Sequence, residues 1–140
     1  MTILDDDARQ ALSAGHLGHL VTINSDGSPQ VSVVWIGLDG DDIVVGHLGR
    51  GRKLANIARD PRVVLSLQTD GANPIGMANC LIVHGTARLV EGGGPELLQR
   101  LAEVYLGPGI PFPPMDDPPP GHVIHIKPER IGGVGPWSGT

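Results

Sequence analysis

Residues 49–61 read Gly49-Arg50-Gly51-Arg52-Lys53-Leu54-Ala55-Asn56-Ile57-Ala58-Arg59-Asp60-Pro61. Three cations and two glycines stand directly ahead of a short helical pattern. Leu54 and Ile57 form an apolar stripe at i, i+3, and Asp60-Pro61 stops the helix. The preceding run Asp42-Ile43-Val44-Val45-Gly46-His47 reads as a strand. Cations and pliable backbone therefore meet where a strand passes into a helix. At such a junction the free N–H groups and the positive end of the helix dipole favour an anion. The chemistry this permits is phosphate binding. No G-x-x-x-x-G-K-[ST] run is present, so the loop is not of the Walker type. A solvated basic turn has the same composition, and position among the other elements must decide between the two.

The remaining chemically capable residues are few. His47 ends the strand beside the basic run and is a candidate proton donor; a polar strand-end histidine is the plainer reading. His16 and His19 lie three apart across a glycine-rich turn, and His122 and His125 lie three apart on a strand pattern, so the latter pair points to opposite faces. Neither spacing suits a metal, and none is expected. Cys80 opens a strand and reads as a small buried or half-buried residue. Asp5-Asp6-Asp7 suits a helix N-terminus. Trp35 reads as core or subunit interface, and Trp137 either as core or as a cover over a ligand.

Composition narrows the classes. A chain of 140 residues forms one domain with room for a core. Its formal charge of −5 disfavours general nucleic-acid binding, and the Arg50, Arg52, Lys53 cluster stands out against that acidic background. A single cysteine rules out an intrachain disulfide. No apolar stretch has the length of a membrane span, and the N-terminal residues lack the pattern of a signal peptide. A cytoplasmic protein is expected.

The elements that must position the basic run are short strands and turns. With 21 glycines, 13 prolines and four aromatic residues, the chain suits strands joined by turns better than a helical bundle. A helix is expected over 5–13, strands over 17–24 and 30–36 around an Asp26-Gly27 turn, and a turn over 38–42. A strand over 43–47, a helix over 52–59 and a strand over 63–69 follow. Residues 70–79 read as a long, candidate functional loop, 81–90 as a strand and 96–106 as the longest helix. Residues 109–121 are proline-rich, 122–127 a last strand and 131–140 a glycine-rich tail. Five or six strands in meander order predict a small antiparallel barrel. The run Val33-Val34-Trp35-Ile36 is apolar on both faces, so one face needs a helix or a second subunit.

Together these residues resemble the pyridoxamine 5'-phosphate oxidase-like, FMN-binding split β-barrel family. The resemblance rests on the Asp-Gly turn, the strand Pro29-Gln30-Val31-Ser32, the basic strand–helix junction and the run Asn56-x-x-Arg59-Asp60-Pro61-Arg62-Val63. The loop Thr69-Asp70-Gly71-Ala72-Asn73-Pro74 and the tail Gly132-Gly133-Val134-Gly135-Pro136-Trp137 are similar to the actinobacterial branch that uses coenzyme F-420, a deazaflavin, in place of FMN. The resemblance implies a mainly β fold with peripheral helices: a six-stranded antiparallel split barrel, forming a homodimer with cofactor at the subunit interface. It places the cofactor phosphate on Lys53 and Arg52 with Arg50 close by, and the ring along Pro29, Gln30, Val31 and Ser32. Gly46, His47 and Leu48 would lie near the ring or its linker, and a second subunit would add Asn73, Pro74 and Trp137. The implied activity is hydride transfer from reduced coenzyme F-420 to a small unsaturated acceptor. An FMN-dependent oxidoreductase, or a carrier or sensor without turnover, are the alternatives. The basic set expected for the substrate phosphate of a true pyridoxamine-phosphate oxidase is missing, which argues against vitamin B6 synthesis.

Overall fold

The computed structural model describes residues 3–137 as one antiparallel sheet with three helices. In chain order the elements are α1 (Asp6–Ser13), β1 (Gly18–Ile23), β2 (Pro29–Val34), β3 (Gly37–Asp39), β4 (Asp42–His47), α2 (Arg52–Arg59), β5 (Arg62–Ala72), β6 (Ala78–Glu91), α3 (Gly94–Tyr105) and β7 (His122–Val134). The last three residues of the expected tail lie outside the described residues. Among the described residues no helix is long and apolar enough to cross a membrane.

There are seven strands rather than six, and their order is β2-β1-β5-β6-β7-β4-β3 rather than a meander. The extra strand, β3, has only three residues and pairs Gly37 with Val44 through Asp39 with Asp42. Three residues carry too little alternation to be seen in sequence, so the segment reads as part of the turn. The sheet is not closed by hydrogen bonds, since β2 and β3 are its two edges. Yet only Trp35 and Ile36 separate those edges along the chain. A link of that length reaches no more than about 11 Å, so the sheet must curl until its edges nearly meet. The result is a strongly curled sheet with an open seam between β2 and β3.

Two of the expected irregular segments are strand. Residues 70–79 are mostly the ends of the long β5–β6 hairpin, turned at Asn73 to Met77, where Asn73 N donates to the Met77 carbonyl at 2.8 Å. The glycine-rich stretch after Lys127 continues β7 to Val134. Glycine belongs there for a physical reason. Gly133 has a φ of +103°, and a β-carbon on it would stand 2.2 Å from the Cys80 carbonyl oxygen on β6. The strands approach too closely for a side chain.

The core fills the inside of the curl. Leu20, Ile43, Val45, Leu65, Leu67, Leu81, Val83, Ile124 and Ile126 come from five strands and are all but inaccessible. Ala8, Ala11 and Leu12 of α1 and Leu54 and Ile57 of α2 join them. The α1 start is capped by Asp5, whose Oδ1 accepts from Ala8 N at 2.8 Å. On the other side of β4, Val44 packs against Leu97 and Leu101 of α3. β4 is thus buried on both faces, as a strand between the core and a helix must be. Tyr105 ties α3 to the seam: its hydroxyl donates to the His16 carbonyl at 2.7 Å and accepts from Ile36 N at 2.9 Å.

Candidate functional site

The junction between β4 and α2 carries the basic run. Gly51 is the N-cap of α2 and has no side chain to satisfy the first-turn N–H groups. Beneath the helix lies a polar platform. Asn56, 2 % exposed, donates through Nδ2 to Thr22 Oγ1 and to Asn24 Oδ1, each at 3.0 Å. Its Oδ1 accepts from Arg59 Nη2 at 3.0 Å, and Arg59 also donates to the Ile23 carbonyl. Thr22 Oγ1 in turn donates to Gln30 Oε1 at 3.2 Å. Asp60 then grips Arg62 with both carboxylate oxygens, at 3.0 and 2.7 Å, and that hydrogen bonding holds its carboxyl at about 2. The Asn56-x-x-Arg59-Asp60-Pro61-Arg62 run therefore anchors the C-terminal half of α2 to the β1–β2 hairpin.

The three cations fan apart. Lys53 is half-buried and lines a cleft of about 280 Å³ with Val33, Val34, Trp35, Gly46, Leu48, Leu98 and Phe112. Burial pushes its ammonium below the usual lysine range. Arg52 is exposed and lines a second groove of about 450 Å³ with Asn24, Asp26, Ser28, Asn56 and Arg59. Arg50 is exposed and lines a third of about 480 Å³ with Glu91, Gly121 and His122. Of the three cations only Lys53 shares a cleft with Gly46, while Leu48 borders both the Lys53 cleft and the Arg50 groove. That cleft has apolar and aromatic walls and one cation with lowered solvation, a combination that suits a flat ring carrying an anionic group.

His47 sits at the strand end with Nδ1 2.8 Å from the Gly49 carbonyl oxygen. A carbonyl only accepts, so the Nδ1 proton is committed to it. Burial, above all, pushes the imidazole below its ordinary range; the Gly49 bond opposes this, and the Lys53 and His122 charges add to it. With the Nδ1 proton held by Gly49, Nε2 is the ring atom left to exchange a proton, and burial disfavours its charged, acid form.

The strand β2 presents Pro29 and Val31 outward, turns Gln30 into the α2 platform and keeps Ser32 half-buried. None of these four lines the Lys53 cleft; Val33 and Val34 of the same strand do. Asn73 and Pro74 are at the β5–β6 turn, where Asn73 Oδ1 accepts from Ile75 N at 3.1 Å and Met77 N at 2.9 Å. Trp137 is 6 % exposed, donates Nε1 to the Cys80 carbonyl at 2.9 Å and borders a different cleft beside Gln10, His16 and Thr69. None of Asn73, Pro74 and Trp137 lines the Lys53 cleft. Sequence reasoning missed Trp35, Leu98 and Phe112 as cleft walls. The one signal in the sequence was the scarcity of aromatics; in the structure Trp35 stacks on Tyr105 at 5.2 Å and Phe112 tilts against it at 5.0 Å.

The chain belongs to the pyridoxamine 5'-phosphate oxidase family, whose sequence profile matches residues 4–135. Among characterised relatives, a 5a,11a-dehydrotetracycline/5a,11a-dehydrooxytetracycline reductase of Streptomyces rimosus is 28% identical over 96 residues, covering 66% of this chain and 68% of that protein. A solved structure described as an F420 reductase superposes with a TM-score of 0.72 at 26% identity, over 89% of this chain and 94% of the other. A heme binding protein from Mycobacterium smegmatis shares the fold at 23% identity and a TM-score of 0.65, over 93% of this chain and 53% of that one.

Proposed function

We propose that this chain is an oxidoreductase that binds reduced coenzyme F-420 and delivers hydride to a small unsaturated or conjugated organic acceptor. The observation that carries the reading is the Lys53 cleft, an apolar, aromatic-walled space at an uncapped helix start with one partly desolvated cation. The reductase relatives support it, since both are named for reduction and one for the deazaflavin. Family membership supports a flavin or deazaflavin in general terms. The bound group would supply the hydride itself. The protein's part is to hold the anionic end at Lys53, with Arg52 and Arg50 as flanking charges, and to exclude water with Val33, Trp35 and Leu98. Two protomers would share the site, a reading supported by Val31 and Val33, each 59% exposed on the unpaired edge of β2.

The test is a fluorescence titration of the purified protein with coenzyme F-420 and with FMN. Lys53→Ala should weaken binding of the preferred cofactor by roughly 1.5–3 kcal/mol, the scale of a charge-assisted hydrogen bond. Unchanged affinity in the folded variant removes the assignment, and tighter binding of FMN replaces the deazaflavin with the flavin alternative. A second reading, a carrier without turnover, is favoured by one observation: the His47 proton is committed to Gly49, so the nearest candidate acid is a poor one. Single-turnover oxidation of the reduced cofactor by a conjugated acceptor, followed by absorbance, separates the two readings.

A further inference from the structure

The proline-rich segment between α3 and β7 is held against the body of the protein by side chains of α3. Gln99 uses both ends of its amide. Nε2 donates to the Ile110 carbonyl at 2.9 Å, and Oε1 accepts from Phe112 N at 2.8 Å. Glu103 Oε2 accepts from Gly109 N at 3.3 Å. Ile110 and Met115 of the segment fasten little, being 41% and 50% exposed. Phe112 is the side chain that turns inward. Its ring lies 5.0 Å from that of Trp35, tilted by 49°, and both border the cleft that contains Lys53. Trp35 cannot yield easily, since its ring is also stacked on Tyr105 at 10°. At about 280 Å³ the cleft is smaller than the two grooves beside it, at about 450 and 480 Å³. Phe112 and Trp35 are its two aromatic walls, so the Phe112 ring matters to what fits.

We propose that Phe112, positioned by the side-chain amide of Gln99, is the specificity wall of the Lys53 cleft, admitting a flat ring with a slim edge and rejecting one with bulkier edge substituents. This rests on the cofactor reading above and deepens it. The two candidate cofactors differ in this respect: FMN carries two methyl groups on the outer ring, where the deazaflavin carries one hydroxyl. A methyl group against an apolar wall changes affinity by about 10–200-fold. Gln99 touches no ligand; it acts through Phe112.

The experiment is equilibrium binding of both probes, FMN and coenzyme F-420, to the full chain without turnover, read by quenching of tryptophan emission. The quantity of interest is the ratio of the two dissociation constants. Phe112→Ala should shift that ratio toward FMN by about tenfold or more, and Phe112→Trp should shift it the other way. Gln99→Leu, which keeps the volume and removes both hydrogen bonds, should give a smaller shift toward FMN. Circular dichroism checks folding, and Phe112→Leu replaces Phe112→Ala if the latter unfolds. A merely structural role for Phe112 would weaken both probes in parallel and leave the ratio alone; that result overturns the inference. Lys53→Ala serves as the control. If Lys53→Ala weakens both probes while Phe112→Ala leaves their ratio unchanged, the specificity wall fails and the cofactor reading stands. If Lys53→Ala has no effect, or if the wild-type protein binds neither probe, both fall.

Discussion

Asn56→Ala removes the centre of the platform that seats α2, and its cost can be worked from the hydrogen bonds. The amide has two N–H groups, directed at Thr22 Oγ1 and Asn24 Oδ1, and its oxygen accepts from Arg59, all at 3.0 Å. The 3.4 Å approach to Gln30 Oε1 is long, and both N–H groups are already engaged, so it is not counted. Three bonds at a net of about 1 kcal/mol each give about 3 kcal/mol. The neighbours are only partly stranded: Thr22 still donates to Gln30, and Arg59 still donates to Ile23. With a small void at a site 2 % exposed, the expected loss is about 3–4 kcal/mol, a large part of the roughly 5–15 kcal/mol that holds a domain folded. Urea unfolding followed by circular dichroism measures it, with an unchanged slope against denaturant. The pair with Thr22→Val supplies a second check. The two residues share a bond, so the double variant should lose about 1 kcal/mol less than the sum of the singles. A loss below about 1 kcal/mol, or full additivity, would show that α2 is held by its apolar residues alone.

Two other changes probe the frame around the site. Tyr105→Phe leaves Ile36 N and the His16 carbonyl without their partner at the seam, and should cost about 1–3 kcal/mol in the same unfolding assay; a neutral result would mean water replaces the hydroxyl. His47 bears on acid stability. Its folded value is depressed, so the unfolded chain takes up the proton first as pH falls. Its contribution is steady above about 6.5, declines as pH falls below that toward the lower folded value, and then levels. His47→Gln should therefore lose less melting temperature between pH 7.5 and pH 5 than the wild type does. Equal losses would mean that His47 titrates alike in both states.

Local chemistry was legible where one element carried its own signal. The apolar pair Leu54 and Ile57 with the Asp60-Pro61 stop marks α2 at Arg52–Arg59. The Asp26-Gly27 turn marks the β1–β2 hairpin, and the acids at 5–7 mark α1, with Asp5 as its cap. What depended on distant pairing was not legible. Nothing near Gly133 tells that the Cys80 carbonyl will lie against it, so the glycines of β7 read as a breaker. Nothing local places β1 beside β5 or β4 beside β7. The site divided in the same way. Lys53 is visible as a cation at a strand–helix junction, whereas Trp35, Leu98 and Phe112 reach its cleft from three separate segments. Asn56 was visible within its motif, but its burial, which makes it a structural anchor, was not.

The placement of β4 also bears on the order of events when the chain folds. On one side β4 has only the three-residue β3; on the other it has β7, with Ile43 opposite Ile126 and His47 opposite His122. A three-residue pairing cannot hold a strand alone, and closing a loop of that span is slow compared with forming hairpins such as β1–β2 or β5–β6. The hairpins and α2 can therefore assemble early, while the strand end that delivers Gly46 and Leu48 to the cleft waits for β7. On the ribosome the wait is literal, since residue 53 emerges long before residue 122. A nascent chain of this fold has its cation in place well before it has a pocket to put it in.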